Sequence, residues 1–117
     1  VALSDDGKVL VVQASTGRLY LPGGRLEPFE TEAEALCREM AEECGHAATP
    51  TMFLMRAHQP IFDGRVLLDA RYWRVTLGEV VHEWPEHRPL WLMPDQACAR
   101  LHRQSDAAAV RRALEIT

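Results

Sequence analysis

The chain predicts an α+β fold in layers, and three observations carry that prediction. Strand-like runs rich in β-branched and aromatic residues are bounded by turn signals, but they do not alternate strictly with helical stretches as a doubly wound sheet requires. Residues 31–45 carry apolar side chains at helical spacing with a capping signal at each end. A chain of 117 residues buries about two-thirds of its extended surface, enough for one core, so residues 1–117 are expected to form a single domain.

Taken in order, Val1 to Ser4 and Lys8 to Ala14 read as a hairpin joined by Asp5-Asp6-Gly7, an aspartate-glycine turn between apolar runs. Ser15-Thr16-Gly17 breaks it, and Leu19 to Leu21 is a short strand leading into Pro22-Gly23-Gly24. Thr31 is the N-cap of a helix, with Glu34 completing a capping box, and Gly45 is its left-handed C-cap. Between the caps, Ala33, Leu36, Cys37, Met40 and Cys44 are expected to face the core. Thr51 to Ala57 then reads as a strand, Asp63-Gly64 as a turn, and Val66 to Leu77 as a longer strand that Val80 to Trp84 continues. Pro85 to Pro89 is a loop by composition. Leu90 to Met93 is a short strand, Asp95 caps a short helix, and Ser105 caps a last one that ends near Glu115.

Composition narrows the function classes. Charged residues at 26% and hydrophobic ones at 47% are ordinary globular usage and argue against disorder. A net charge of −4 argues against a long nucleic-acid groove, which needs a basic stripe. Cys37, Cys44 and Cys98 lack CxxC spacing, so a reduced, cytoplasmic protein is expected. No apolar run is long enough to span a membrane, and no signal-like start is present. The chain begins inside a strand-like stretch without an initiator Met, so a segment trimmed or omitted before Val1 is expected. Trp73, Trp84 and Trp91 are assigned to the core, and His46, His58, His82, His87 and His102 show no zinc spacing. Tyr72 and Trp73 are neighbours on a strand and must face opposite ways.

The most informative stretch is Arg38-Glu39-Met40-Ala41-Glu42-Glu43-Cys44-Gly45. Glu39, Glu42 and Glu43 are three and four residues apart, which places their carboxylates on one arc of a helix. Like charges so placed repel unless a cation or an arginine lies among them, and carboxylate oxygens are what hard divalent cations prefer. A glutamate-rich helix is ordinarily just a solvated face. The register to the upstream glycines decides against that reading here.

Counted from Gly24, the chain carries Glu30, Arg38, Glu39, Met40, Glu42, Glu43 and Gly45 at the offsets of G x5 E x7 R E U x E E x G U, with U aliphatic and His46 at the final U. This pattern resembles the signature of the Nudix family. A chance match of the fixed identities at one register is on the order of 10⁻⁸ to 10⁻⁹. Three departures stand out. Phe29 replaces the usual glycine before the first glutamate, His46 replaces the aliphatic end of the box, and Leu19 fills a slot that is frequently tryptophan.

The resemblance implies a Nudix-type α/β/α sandwich around a mixed β-sheet and a pyrophosphohydrolase using Mg²⁺, with Mn²⁺ as a substitute. It implies metal ligation by Glu39, Glu42 and Glu43 with a backbone carbonyl near Gly24, and pairing of Arg38 with Glu30 to hold the loop against the helix. The general base is left between Glu39, the first choice, and Glu86 or Glu83 in the later loop. Arg25, Phe29 and Arg71 are the candidate substrate-binding residues, with Arg56 as a further arginine able to hold phosphate. The implied partner is a small nucleotide-type substrate, with neither long nucleic acid nor membrane, and a homodimer is left open. Pro60 and Phe62 fall where ADP-ribose relatives carry proline and diadenosine-polyphosphate relatives carry tyrosine, which leaves nucleoside triphosphates, ADP-ribose and nucleotide sugars all open. The competing class of function is a nucleotide-sensing module that keeps the fold without cleaving.

Overall fold

The computed structural model describes residues 1–24 and 26–116, so the substrate candidate Arg25 lies outside the described residues. The elements are β1 (Val9–Gln13), β2 (Leu19–Tyr20), α1 (Glu32–Cys44), β3 (His46–Ile61), β4 (Val66–Val80), β5 (Arg88–Leu92), α2 (Pro94–Arg100) and α3 (Gln104–Glu115).

The centre of the molecule follows from β1. Its first four residues are all buried. Alternation along a strand sends Val9 and Val11 to one face and Leu10 and Val12 to the other, and the two pairs lie in separate apolar clusters. Val9 and Val11 pack with Ala97, Leu101, Ala107, Val110 and Ala113 of the α2–α3 layer. Leu10 and Val12 pack with Met40 and Cys44 of α1 and with Val75 of β4. A strand covered on both sides needs an unbroken apolar run, which is why Val-Leu-Val-Val does not alternate. Full burial of each such side chain is worth about 1.5–3 kcal/mol.

β1 pairs antiparallel with β5 along its whole length and with β2 at its far end. The turn at Asp5-Asp6-Gly7 closes with Gly7 donating to the Ser4 carbonyl at 3.0 Å, and Leu3 bridges Val9 antiparallel. Ala2 also bridges Val75 in parallel, joining this sheet to the long β3–β4 hairpin. Antiparallel and parallel pairings coexist, and helices cover both faces, so the fold is an α/β/α sandwich around a mixed sheet.

Several local expectations give way to tertiary context. In α1 the buried side chains are Ala35, Met40 and Cys44, whereas Ala33 faces solvent. β3 starts at His46 and β4 runs to Val80, because each extends as long as the other offers a partner; Val81 to Trp84 leave the sheet. Trp84 is 91% exposed and Trp91 is exposed as well, so of the three tryptophans only Trp73 packs against the core. α2 is capped by Met93 with Pro94 following, and α3 by Arg103, rather than by Asp95 and Ser105. Tyr72 and Trp73 do face opposite ways, Tyr72 toward α3 and Trp73 toward α1. Among the described residues no helix is long and apolar enough to cross a membrane.

Candidate active site

α1 forms where it does because both of its ends are chemically marked. Thr31 accepts from the Glu34 amide at 3.1 Å while the Glu34 carboxylate accepts from the Thr31 amide at 3.1 Å. At the other end Gly45 adopts φ 80°, and its amide donates to the Ala41 carbonyl at 3.0 Å. A Cβ on Gly45 would meet the His82 carbonyl oxygen at 2.5 Å, so glycine is required there by space as well as by φ.

With Met40 and Cys44 turned inward, Glu39, Glu42 and Glu43 emerge on the other arc beside Arg38. The guanidinium of Arg38 gives Glu30 a bidentate pair, Nε to Oε2 at 2.7 Å and Nη2 to Oε1 at 3.0 Å. Its Nη1 reaches Glu39 at 2.6 Å and Glu42 at 3.3 Å, with Glu27 at 3.6 Å. One arginine thus ties the loop that carries Glu27 and Glu30 to the last two turns of the helix. This contact holds the carboxyl of Glu30 down at about 2.

Glu43 is placed differently. It accepts from the Gly23 amide at 2.8 Å, and the His87 Nε2 lies 3.8 Å from its other oxygen. Burial raises its carboxyl to about 7, and the nearby charges of Glu39, Glu86 and Glu42 push the same way against the Gly23 hydrogen bond. Glu86, predicted from the later loop, is therefore part of this field. Its amide donates to the Glu42 carbonyl at 2.8 Å, which pins the loop to the end of α1. The last turn of α1 has no basic residue and carries Glu42 and Glu43 at the negative end of the helix dipole. A local rule broken in this way is expected at a functional site.

The glycine loop completes the constellation. A Cβ on Gly24 would run into the carboxylate of Glu39, so a larger residue there would push that carboxylate away from the loop. Three residues earlier the Leu21 amide donates to Asp106 at 3.0 Å from the opposite layer. Asp106 is 3% exposed and also accepts from the Tyr72 hydroxyl at 2.7 Å. The loop is thus held through alternate amides by a carboxylate on each side. Asp106 has no distinguishing mark in the sequence, since aspartate in a first helical turn is commonplace.

As the side chains stand, no group of three or more His, Cys, Asp or Glu is gathered at metal-holding geometry among the described residues, because Arg38 and the Gly23 amide take the carboxylates. The donor set nevertheless fits a hard cation: it is all oxygen, it is short of positive charge at Glu43, and a backbone carbonyl lies within the same loop. The remaining predicted residues are elsewhere. Phe29 has φ 65° and a ring that is 107% exposed, so it walls nothing. Arg71 donates to Glu32 at 3.1 Å at the start of α1, and Arg56 pairs with Asp69 on the hairpin.

Separate from the acid cluster in its lining is a cleft of about 770 Å³ between the β3–β4 tip and the start of α3. Arg18, Tyr20, His58, Phe62, His102 and Arg103 form most of its walls. Sequence reasoning missed it because its walls come from three separate stretches of chain.

The sequence pattern of the NUDIX domain matches residues 1–115. A CTP pyrophosphohydrolase of Escherichia coli (strain K12) is 33% identical over 98 residues, covering 79% of this chain and 71% of that protein. The 8-oxo-dGDP phosphatase NUDT18 of Homo sapiens is 45% identical over 58 residues, covering 46% of this chain and 18% of that protein. A solved NUDIX hydrolase from Nitrosomonas europaea superposes with a TM-score of 0.87 at 21% identity, over 98% of this chain and 84% of that one.

Proposed function

The chain belongs to the Nudix family, hydrolases of pyrophosphate bonds in nucleotide-derived substrates, and from that premise we propose a Mg²⁺-dependent enzyme cleaving a nucleoside diphosphate linked to another moiety. The observation that carries this reading is the acidic arc of α1, with the Glu43 carboxyl at about 7 among like charges at the negative end of the helix.

Glu39, Glu42, Glu43 and the Gly24 carbonyl would hold Mg²⁺. Bound there, the ion supplies charge neutralisation and polarisation of the phosphoryl oxygens, and it lowers the pKa of water. Arg38 and Glu30 keep the glycine loop against the helix. Glu39 is assigned as the base that takes the proton of the attacking water, with Glu86 as the alternative, since its loop is hydrogen-bonded to the end of α1. The cleft takes the nucleoside end of the substrate. Its aromatic and cationic walls suit a nucleotide, and the triphosphate, ADP-ribose and nucleotide-sugar classes all fit a substrate that crosses from cleft to acid cluster. The three free cysteines suit a reducing compartment, which we take to be the cytoplasm.

One observation favours the sensor reading: Arg38 ion-pairs with both Glu39 and Glu42 and so offsets part of their charge. The test is a panel of nucleoside triphosphates, ADP-ribose, nucleotide sugars and dinucleoside polyphosphates, with and without Mg²⁺ or Mn²⁺, read by product release. Metal-dependent cleavage of one class, lost in Glu43→Gln, is the expected result. Binding without cleavage anywhere on the panel would establish the sensor instead.

A further inference from the structure

The cleft between the β3–β4 tip and the start of α3 is the reverse of the rest of the chain in charge. Its walls include Arg18, Arg103, His58 and His102 against a single carboxylate, Asp63, while the whole chain carries −4. Among the described residues neither Arg18 nor Arg103 ion-pairs with a carboxylate, whereas Arg38, Arg56, Arg71 and Arg112 each do.

The arrangement around Arg103 is fixed in advance. The connector between α2 and α3 lies along β2, with Leu101 bridging Leu19 and the His102 amide donating to the Leu19 carbonyl at 2.9 Å. This places the Arg103 guanidinium 5.0 Å from the centre of the Tyr20 ring and His102 edge-on to the same ring at 5.7 Å. A guanidinium held against a ring face keeps its in-plane N–H donors for a planar or tetrahedral anion. It also occupies the ring face on which a base would stack. Arg103 is half-buried, so its charge is partly desolvated and a bound anion gains more than it would at an open surface.

Tyr20 and Gly23 are three residues apart, so the Cα atoms of this cleft residue and of the glycine loop lie within about 11 Å of each other. A nucleotide reaches across that distance. We propose that the cleft binds a phosphate monoester carried on the substrate away from the pyrophosphate being cleaved, held by Arg103 and Arg18. This rests on the hydrolase reading above and narrows its substrates to nucleotides with an additional, non-scissile phosphate.

The test pairs ADP-ribose with ADP-ribose 2′-phosphate, compounds that differ only in that group. The phosphorylated member should show about tenfold higher kcat/KM or more, through a lower KM. The ratio should collapse toward one in Arg103→Ala and in Arg18→Ala. A variant that merely folds poorly lowers both rates and leaves the ratio where it was, which would overturn the assignment of these arginines. Calorimetric binding of the same pair to Glu39→Gln provides a readout independent of turnover. Equal affinities there, or equal kcat/KM in the native protein, overturn the proposal. If neither compound is cleaved but the phosphorylated one binds about tenfold tighter, the cleft assignment stands and ADP-ribose drops out of the substrate classes, while the panel above decides the hydrolase reading.

Discussion

Glu43 is held between opposed demands: the loop amide of Gly23 asks for a carboxylate, while burial and three neighbouring acids ask for the neutral acid. The folded pKa of about 7 lies above the ordinary 4.5, so this group's contribution to stability is full below about 4.5 and is lost as pH rises through 7. The metal-free protein should therefore lose melting temperature between pH 5 and 8. Glu43→Gln, which cannot ionise, should flatten that part of a thermal-denaturation profile; an unchanged slope would place the titration elsewhere. Turnover of the same variant should fall by more than the about 10–100-fold typical of losing an outer partner of a metal ligand. Phe29 offers a separate test. Its left-handed backbone costs about 1–2 kcal/mol, its exposed ring returns little, and glycine loses about 0.5–1 kcal/mol in chain entropy. Phe29→Gly should raise stability by up to about 1 kcal/mol, read from the urea midpoint. Cys44, buried in the core and pushed up to about 12, should resist thiol reagents at pH 8 until the protein unfolds.

At the scale of elements, α1 was legible from sequence because everything that defines it is local. Thr31 and Glu34 speak to each other across three residues, Gly45 closes the end, and the acidic arc follows from spacing alone. What depends on distant partners was not legible. Val80 is in a strand because His46 lies opposite it, and Met93 and Arg103 cap helices where the sheet sets the approach. Asp106 and the cleft are beyond reach for the same reason: Leu21, Tyr72 and Asp106 meet only in three dimensions. Gly45→Ala tests the local half of this account. It meets both a left-handed backbone and the His82 carbonyl, so a loss of about 1–3 kcal/mol is expected in denaturant titration.

For the whole molecule, the acid cluster lies where the α1 layer, the glycine loop and the loop before β5 meet, so a cation bound there ties three separate stretches together. A ligand that binds only the folded state stabilises it by about 2.7 kcal/mol at a hundredfold excess over its dissociation constant. Saturating Mg²⁺ should accordingly raise the melting temperature by roughly 10 °C for a domain of this size. The rise should be greater at pH 8 than at pH 6 and absent in Glu43→Gln. A rise retained in that variant would mean the ion binds elsewhere.

The alternate amides of the loop have one further consequence. With Leu21 anchored to the α3 layer and Gly23 to the α1 layer, the segment between them is a tether of fixed length spanning the sandwich. Gly23 cannot release Glu43 without its own amide becoming free, so the nuclear magnetic resonance signal of that single proton is a built-in indicator. It should shift with a midpoint near pH 7 in the metal-free protein and move again as Mg²⁺ is added, while the Leu21 signal, anchored on the far side, stays in place.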